Sequence, residues 1–369
     1  MKIDHNLIIK RYGKDLATGT ILFRSLSEII DNDPNKIFNY IDEKPVEGLR
    51  LLRTLNAETF FRMYEALTYG DIGVLFASPR SCLSGILIQF IGTQEQQDYY
   101  FNYVATNKAR TFFATTEVKY GSDANQIETT LCKQNLKCII NGQKILVGNL
   151  GVADIGIIIG RVNSGPLGLC AALITPDDFE INRNNIQRET LPMFGIRSAL
   201  LGKANFQQFV IDQTQLLGQT VKATERGLQV IIKTFNIMRL GITGLALGHS
   251  QAMIDYISQT RRNLKMHEVD MLSLWQTQLN SIRTLALVAA RNNQENRLNT
   301  AEISLVKVQS SRLIETIAIK SLDFYGVDYM YEHPYLVKSI RDCFGYEYMD
   351  GTTNIHRKNI YQGLSNVRF

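Results

Sequence analysis

Apolar residues in the first hundred or so positions recur at spacings of three and four. Ile8 to Leu22 and Phe60 to Leu67 carry this period, which predicts amphipathic helices, and Ile86-Leu-Ile-Gln-Phe-Ile91 is a denser apolar run predicted to be buried. Asn32-Asp-Pro34 and Lys44-Pro45 mark breaks, because proline lacks the N–H that a continuing helix needs. Thr93 and Gln96 have capping-box spacing, so another helix is expected to start after Gly92.

From about residue 111 to 215 the period changes to two. Leu136, Cys138 and Ile140 alternate up to Asn141-Gly142, and Lys144 to Val147 continues beyond it, a pattern that predicts a hairpin turning at Asn-Gly. Ile155-Gly-Ile-Ile-Ile159 and Leu169-Cys-Ala-Ala-Leu-Ile174 read as further strands, apolar on both sides, hence in a closed or doubly covered sheet. After Gly218 the helical period returns. Leu228, Ile231, Phe235, Met238, Ile242 and Leu245 mark one face of a long helix, and Val306, Leu313 and Ile317 mark a later one ending near Gly326. Gly241, Gly244 and Gly248 on the long helix would let another helix or a ligand come close. Helices, then strands, then helices is not the βαβ alternation of a Rossmann arrangement. The phosphate-binding loops GxGxxG and GxxxxGK[ST] are absent, as is the GxSxG elbow.

Composition narrows the chemistry only a little. The 369 residues are 45% hydrophobic and 20% charged, as in ordinary globular proteins. A formal charge of +5, spread along the chain, suits an anionic ligand or an acidic protein partner. No Lys/Arg run interleaved with aromatics appears, so nucleic acid is not expected as a partner. Five cysteines without a CxxC point to a reduced setting, and five histidines without HxxxH or HExxH argue against a metal. The N-terminus lacks a signal pattern and no apolar run approaches the roughly 20 residues of a membrane span, so no membrane and a cytoplasmic location are expected.

Near the C-terminus Asp350 stands directly before Gly351-Thr352, ahead of Ile355-His-Arg357, which reads as the opening of a last helix. Asp there has two readings. One is a helix cap, a position Asp favours both for its side-chain acceptor and for the helix dipole. The other is a general base held on a rigid turn and aimed into a pocket.

The segment Phe113-Ala-Thr-Thr-Glu-Val-Lys-Tyr-Gly-Ser-Asp-Ala124 resembles the Thr-Glu, Gly-Ser-Asp signature of the acyl-CoA dehydrogenase family of flavoproteins. Four more motifs follow in that family's order: Ile140-Asn-Gly-Gln-Lys144, Leu191 to Arg197 with Gly195-Ile-Arg197, Arg239 in the glycine-bearing helix, and Arg341-Asp to Arg357. The resemblance implies an α+β fold: an N-terminal helical domain (1–111), a middle β-domain (112–219) and a C-terminal four-helix bundle (220–369). It implies FAD held where the three meet, and a homodimer or homotetramer. Asp350 would take a proton α to an acyl thioester while flavin accepts hydride from the β-carbon. Thr116, Ser122, Val147, Gly148, Thr352 and Asn354 match cofactor-binding positions, and Arg239 and Gly351 match substrate-side positions.

Departures from the family pattern redirect the expectation. Asp350 replaces the more common Glu, and Leu146 and Gly148 replace a tryptophan and a threonine beside the flavin. The Arg-x-x-Phe-Gly contact to a neighbouring FAD is missing, with Leu264 to Glu268 in its place and Arg261 and Arg262 one turn earlier. Lys320 and Asp323-Phe324 replace a Gln and paired glycines, where a carboxylate and a ring would crowd a diphosphate. The expected substrate is an acyl thioester of coenzyme A or, as in compact members acting in polyketide or peptide biosynthesis, of a carrier protein. The electron acceptor would be an electron-transfer flavoprotein or oxygen. Alternatives are a flavin oxidase using Asp as base, like nitroalkane oxidases, and a noncatalytic member with a degenerate FAD site.

Overall fold

The computed structural model describes residues 4–121, 123–165, 167–222, 224–295 and 299–365. Helix α1 (His5–Asn32) starts at Asp4, whose carboxylate accepts from the N–H groups of Asn6 and Leu7. It stops at Asp33, which then caps the 3₁₀ turn Pro34–Tyr40. The Lys44-Pro45 break is a helix start, with proline in the first turn of α2 (Lys44–Leu51), where its missing N–H costs nothing. There follow α3 (Ala57–Gly70), α4 (Ile72–Ala77), α5 (Cys82–Ile91) and α6 (Gln94–Asn107). Thr93 and Gln96 form the expected capping box at the start of α6.

The strands are β1 (Thr111–Ala114), β2 (Thr130–Gln134), β3 (Lys137–Val147), β4 (Ile155–Arg161) and β5 (Leu169–Ile174). After the short α7 (Pro176–Ile181) come β6 (Ile186–Thr190) and β7 (Gly202–Asp212). Among the described residues they make one seven-stranded mixed sheet ordered β1-β4-β2-β3-β7-β6, with β5 beside β4. Every residue from Ile155 to Gly160 in β4 and all six of β5 are buried, which is the double coverage that their continuous apolar runs imply.

The Asn141-Gly142 turn does not form. β3 runs straight through it, and the hairpin reverses instead at Asn135, which takes φ +52. Gly142, at φ +151, is a bulge where the register to β7 slips. A Cβ there would lie 2.4 Å from the Thr129 hydroxyl, so only glycine lets β3 cross so closely. Asn141 Oδ1 accepts from Gln208 N at 2.7 Å and fills the gap in the ladder. The dipeptide is a hairpin signal in isolation, and the long partner strand overrides it.

The C-terminal helices are α8 (Leu228–Thr260), α9 (Met266–Gln294), α10 (Thr300–Lys320), α11 (Leu322–Tyr325), α12 (Tyr329–Glu332), α13 (Pro334–Cys343), α14 (Gly345–Tyr348) and α15 (Thr353–Ser365). Helix α8 packs on α3, α9 and α10. Contrary to expectation, α8 is long and apolar enough to cross a membrane by length and composition. Of its most apolar window, however, 78% is buried inside the protein, so its apolarity matches a central core position. Its glycines admit a helix, not a ligand. A Cβ on Gly244 would stand 2.3 Å from the Phe61 carbonyl oxygen, and one on Gly248 2.0 Å from that of Glu65. Backbone-to-backbone approach of α3 and α8 forms the middle of the largest apolar core, around Phe61, Leu245, Leu279 and Ile314.

Candidate active site

Asp350 is not a helix cap. Helix α15 begins three residues later, at Thr353, and its cap is Glu347, which accepts from Thr353 N at 2.9 Å and from the Thr353 hydroxyl. With that task taken, Asp350 sits at φ +51, a left-handed conformation uncommon for a residue with a side chain. Gly351 follows at φ +107, where a Cβ would press on Ile355 at 2.9 Å and on His356 Nε2 at 3.2 Å. The turn before α15 is therefore built on two consecutive positive φ values, the second open only to glycine.

Three long polar side chains hold that turn. Lys307 Nζ donates to the carbonyls of Glu347 (3.1 Å) and Gly351 (2.9 Å). Arg239 Nε donates to the carbonyl of Asp350 itself at 3.1 Å, and its Nη1 to Asn236 Oδ1 at 3.2 Å. His356, fully buried, meets Ser304 Oγ at 3.0 Å and so ties α15 to α10. The Asp350 carboxylate takes no share in these bonds through Oδ2, which is shielded from solvent and has no hydrogen-bond partner. A buried acceptor without a donor is costly in a fold, and this one leaves the Oδ2 lone pairs free to take a proton.

Burial pushes the Asp350 carboxyl up to about 6, against the pull of the Arg239 and Lys307 charges, which favour the ionised form. The same burial lowers Lys307 to about 8 and His356 to about 3, so the imidazole beside the turn is neutral. Tyr64, buried on α3, is raised by burial, with smaller effects from Arg80, Cys82 and Asp350. A carboxylate tuned toward neutrality is strong enough to accept a proton yet still ionised at pH 7.

The β-domain loop reaches this turn through a chain of ring contacts. The Arg239 guanidinium lies 5.4 Å from the ring centre of Phe235, which meets Phe113 of β1 edge-on at 5.8 Å. Two residues beyond Phe113, the Thr115-Thr116 loop is fixed by a buried ion pair. Lys144 Nζ reaches Glu117 Oε1 at 2.8 Å and the Thr115 carbonyl at 3.0 Å, and Glu117 also accepts from Glu128 N and from Thr129 N and Oγ1. Burial alone would raise the Glu117 carboxyl, but Lys144 and these donors hold it below its ordinary value. Burial draws Lys144 down to about 8 in spite of Glu117. The Thr-Glu and Asn-Gly-Gln-Lys motifs are thus two halves of one brace.

Beside the brace the chain suits an isoalloxazine ring, which is apolar on its face and polar along one edge. Leu146, at φ +57, is 56% exposed and offers an apolar wall. The hydroxyl of Thr115 and Oδ1 of Asn149 are buried without partners, and half-buried Thr116 is held through its carbonyl, which accepts from Ile145 N at 3.0 Å. Gly148 has room, since a Cβ would come no nearer than 3.7 Å to Ala199 O. Val147 differs from the expectation in one respect: its side chain is buried in the sheet's core with Phe112 and Phe206, so only its backbone is available to a cofactor. Thr352 is half-buried and Asn354 exposed at the start of α15. Ser122 lies outside the described residues.

Of the positions expected to crowd a diphosphate, Phe324 is buried against Trp275, 5.9 Å between ring centres, and Asp323 is exposed and paired with Lys320 at 3.2 Å. Arg261 faces Glu268 at 3.6 Å, while Arg262 is exposed. Lys307, the Glu347 cap and the Lys144–Glu117 pair are not announced by any sequence motif. Lys307 had a visible signal, because it shares the buried stripe of α10 with Ile303, Ser310 and Ile314.

Residues 225–365 match the family model described as acyl-CoA dehydrogenase, C-terminal domain. The caffeyl-CoA reductase-Etf complex subunit CarC of Acetobacterium woodii is 22% identical over 375 aligned residues, spanning 96% of this chain and 96% of that protein. The crystal structure of the prolyl acyl carrier protein oxidase AnaB superposes with a TM-score of 0.82 at 19% identity, covering 99% of each chain. The structure of PigA with FAD and proline does so with a TM-score of 0.79 at 18% identity, covering 99% of this chain and 98% of the other. At such identities the structural likeness speaks for the fold.

Proposed function

We propose, from the premise that this chain belongs to the acyl-CoA dehydrogenase family of flavin oxidoreductases, that it dehydrogenates an acyl thioester between Cα and Cβ and receives that thioester from an acyl carrier protein. One observation carries the reading. Asp350 is half-buried, its Oδ2 is shielded from solvent and without a partner, and Glu347 frees it from capping duty.

FAD is the cofactor of this family, and when bound it supplies the acceptor for the two electrons that leave with hydride. Leu146, Gly148 and the Thr116 loop would hold its ring, and Thr352 and Asn354 its adenosine-diphosphate end. Asp350 takes the α-proton onto its carboxylate. In water that transfer is steeply uphill, because a thioester α-proton is far less acidic than a carboxylic acid. A site that excludes water and keeps the base unsolvated and aimed lowers the barrier. Arg239 and Lys307 keep the Asp350 carboxyl ionised at neutral pH, and the neutral His356 keeps a further charge out of the turn.

The carrier-protein part of the proposal draws on two supports. AnaB, whose fold this chain shares along its whole length, is an oxidase of a prolyl group on an acyl carrier protein. The formal charge of +5 also favours an acidic partner over a neutral one. The test is anaerobic bleaching of the FAD-loaded protein by one acyl group presented two ways. Faster bleaching by the carrier-bound thioester than by its coenzyme A counterpart is expected. Equal or faster bleaching by coenzyme A thioesters across a panel of acyl groups would remove the carrier from the proposal and leave the chemistry in place.

A further inference from the structure

We propose that Lys307 is a positioning residue for Asp350: its buried ammonium, bridging the carbonyls of Glu347 and Gly351, locks the left-handed turn that aims the carboxylate. The proposal rests on the reading of Asp350 as the base.

Lys307 is fully buried on a helix, α10, that is otherwise remote in sequence from the turn. Placing an ammonium there is unfavourable unless it is well bonded, and its two bonds go to backbone oxygens on either side of Asp350, at 3.1 and 2.9 Å. A neutral apolar residue would fill the same stripe between Ile303 and Ile314 at no such cost. What a lysine adds is a clamp across four residues of chain. Between the clamped carbonyls lie the two positive φ values, +51 at Asp350 and +107 at Gly351, a conformation a free chain would relax. Arg239 holds the middle carbonyl from α8, so the turn is pinned from two helices. No other group around Asp350 spans both ends of the clamp: His356 is set against the backbone of Asp350 and Gly351 but not that of Glu347. Glu347 is used as the cap of α15, His356 is neutral and bonded to Ser304, and Tyr64 stands on α3. Because Lys307 touches backbone and not the carboxylate's neighbours in a pocket, removing it should move the base without removing a binding contact.

The test compares Lys307→Met, Lys307→Gln and Asp350→Asn with the unaltered FAD-loaded protein in single-turnover anaerobic reduction by an acyl thioester. Lys307→Met should bind FAD and a non-reacting thioester analogue as the parent does. It should reduce flavin on the order of 100-fold more slowly, the usual consequence of a base displaced by about 1 Å. The acid limb of its rate profile should also move to higher pH, because a cation that favours ionised Asp350 is gone. Lys307→Gln keeps amide donors without the charge, so it should regain part of the rate while showing the same movement of the acid limb. Should the Met variant fail to fold, the Gln variant alone decides by that movement. Reduction within about threefold of the parent, with an unmoved acid limb, would overturn the proposal. So would a rate loss matched by an equal loss of analogue binding. An active Asp350→Asn would instead show that the base reading itself had failed, whatever Lys307 does.

Discussion

Replacing Asp350 by Asn keeps the side-chain shape and removes its charge, and the geometry predicts that the folded protein becomes more stable. A carboxyl moved by burial from 3.8 to about 6 resists ionisation in the fold. At roughly 1.4 kcal/mol per tenfold change in proton affinity, the ionised form costs about 3 kcal/mol of folding free energy. The sign follows from proton counting. Below the unfolded value both states hold the proton and there is no cost. As pH rises the unfolded chain releases its proton first, so the folded state falls behind until pH passes the folded value. The advantage of Asp350→Asn should thus be about 1 kcal/mol near pH 4.5 and approach the full value by pH 8. Denaturant unfolding of the FAD-loaded parent and variant at several pH values measures it, read as the shift in midpoint at constant slope. A variant less stable than the parent at pH 8 would refute the reasoning, because it would make the Asp350 charge a structural partner of Arg239 and Lys307. No change across the range would show that the carboxylate is solvated and not tuned.

Further outcomes follow from the same contacts. The acid limb of kcat/KM should titrate near pH 6, where Asp350 loses its charge, and a limb at the ordinary carboxylate value would place the base elsewhere. Gly148→Thr should be accommodated, since a Cβ meets nothing closer than 3.7 Å. A restored flavin hydrogen bond would then tighten FAD by about 0.5 to 1.5 kcal/mol, roughly two- to tenfold in Kd measured by fluorescence titration. Lys144→Met leaves Glu117 buried without its cation. A loss of about 3 to 5 kcal/mol in denaturant unfolding is expected, together with weakened FAD binding as the Thr116 loop is released.

Much of this architecture was legible because its elements obey their own periods. Thr93 and Gln96 cap α6 as their spacing requires, and the apolar runs at Ile155 and Leu169 are strands buried on both faces. Asn141-Gly142 misled for a physical reason. A dipeptide that turns a short hairpin becomes a bulge when β7 offers a full-length partner and Thr129 leaves no space for a Cβ. The glycines of α8 announced a close approach without saying of what, and the backbone of α3 is the answer. At the site, local pattern left Asp350 between cap and base, and the family resemblance pointed to the base. In the structure Glu347, three residues earlier, takes the cap, a contact set by how the chain folds back and not by any local pattern. Lys307 lies 43 residues before Asp350, and only the packing of α10 on the turn reveals what a lysine does in an apolar stripe.

The central claim is that Asp350 removes a proton from an acyl thioester. Its most direct test is anaerobic mixing of a reactive acyl thioester with FAD-loaded parent and Asp350→Asn, matched for flavin content and followed at the flavin's visible absorbance. The account predicts that the parent bleaches and the variant, with its flavin equally bound, does not. Bleaching of the variant at the parent's rate would contradict it.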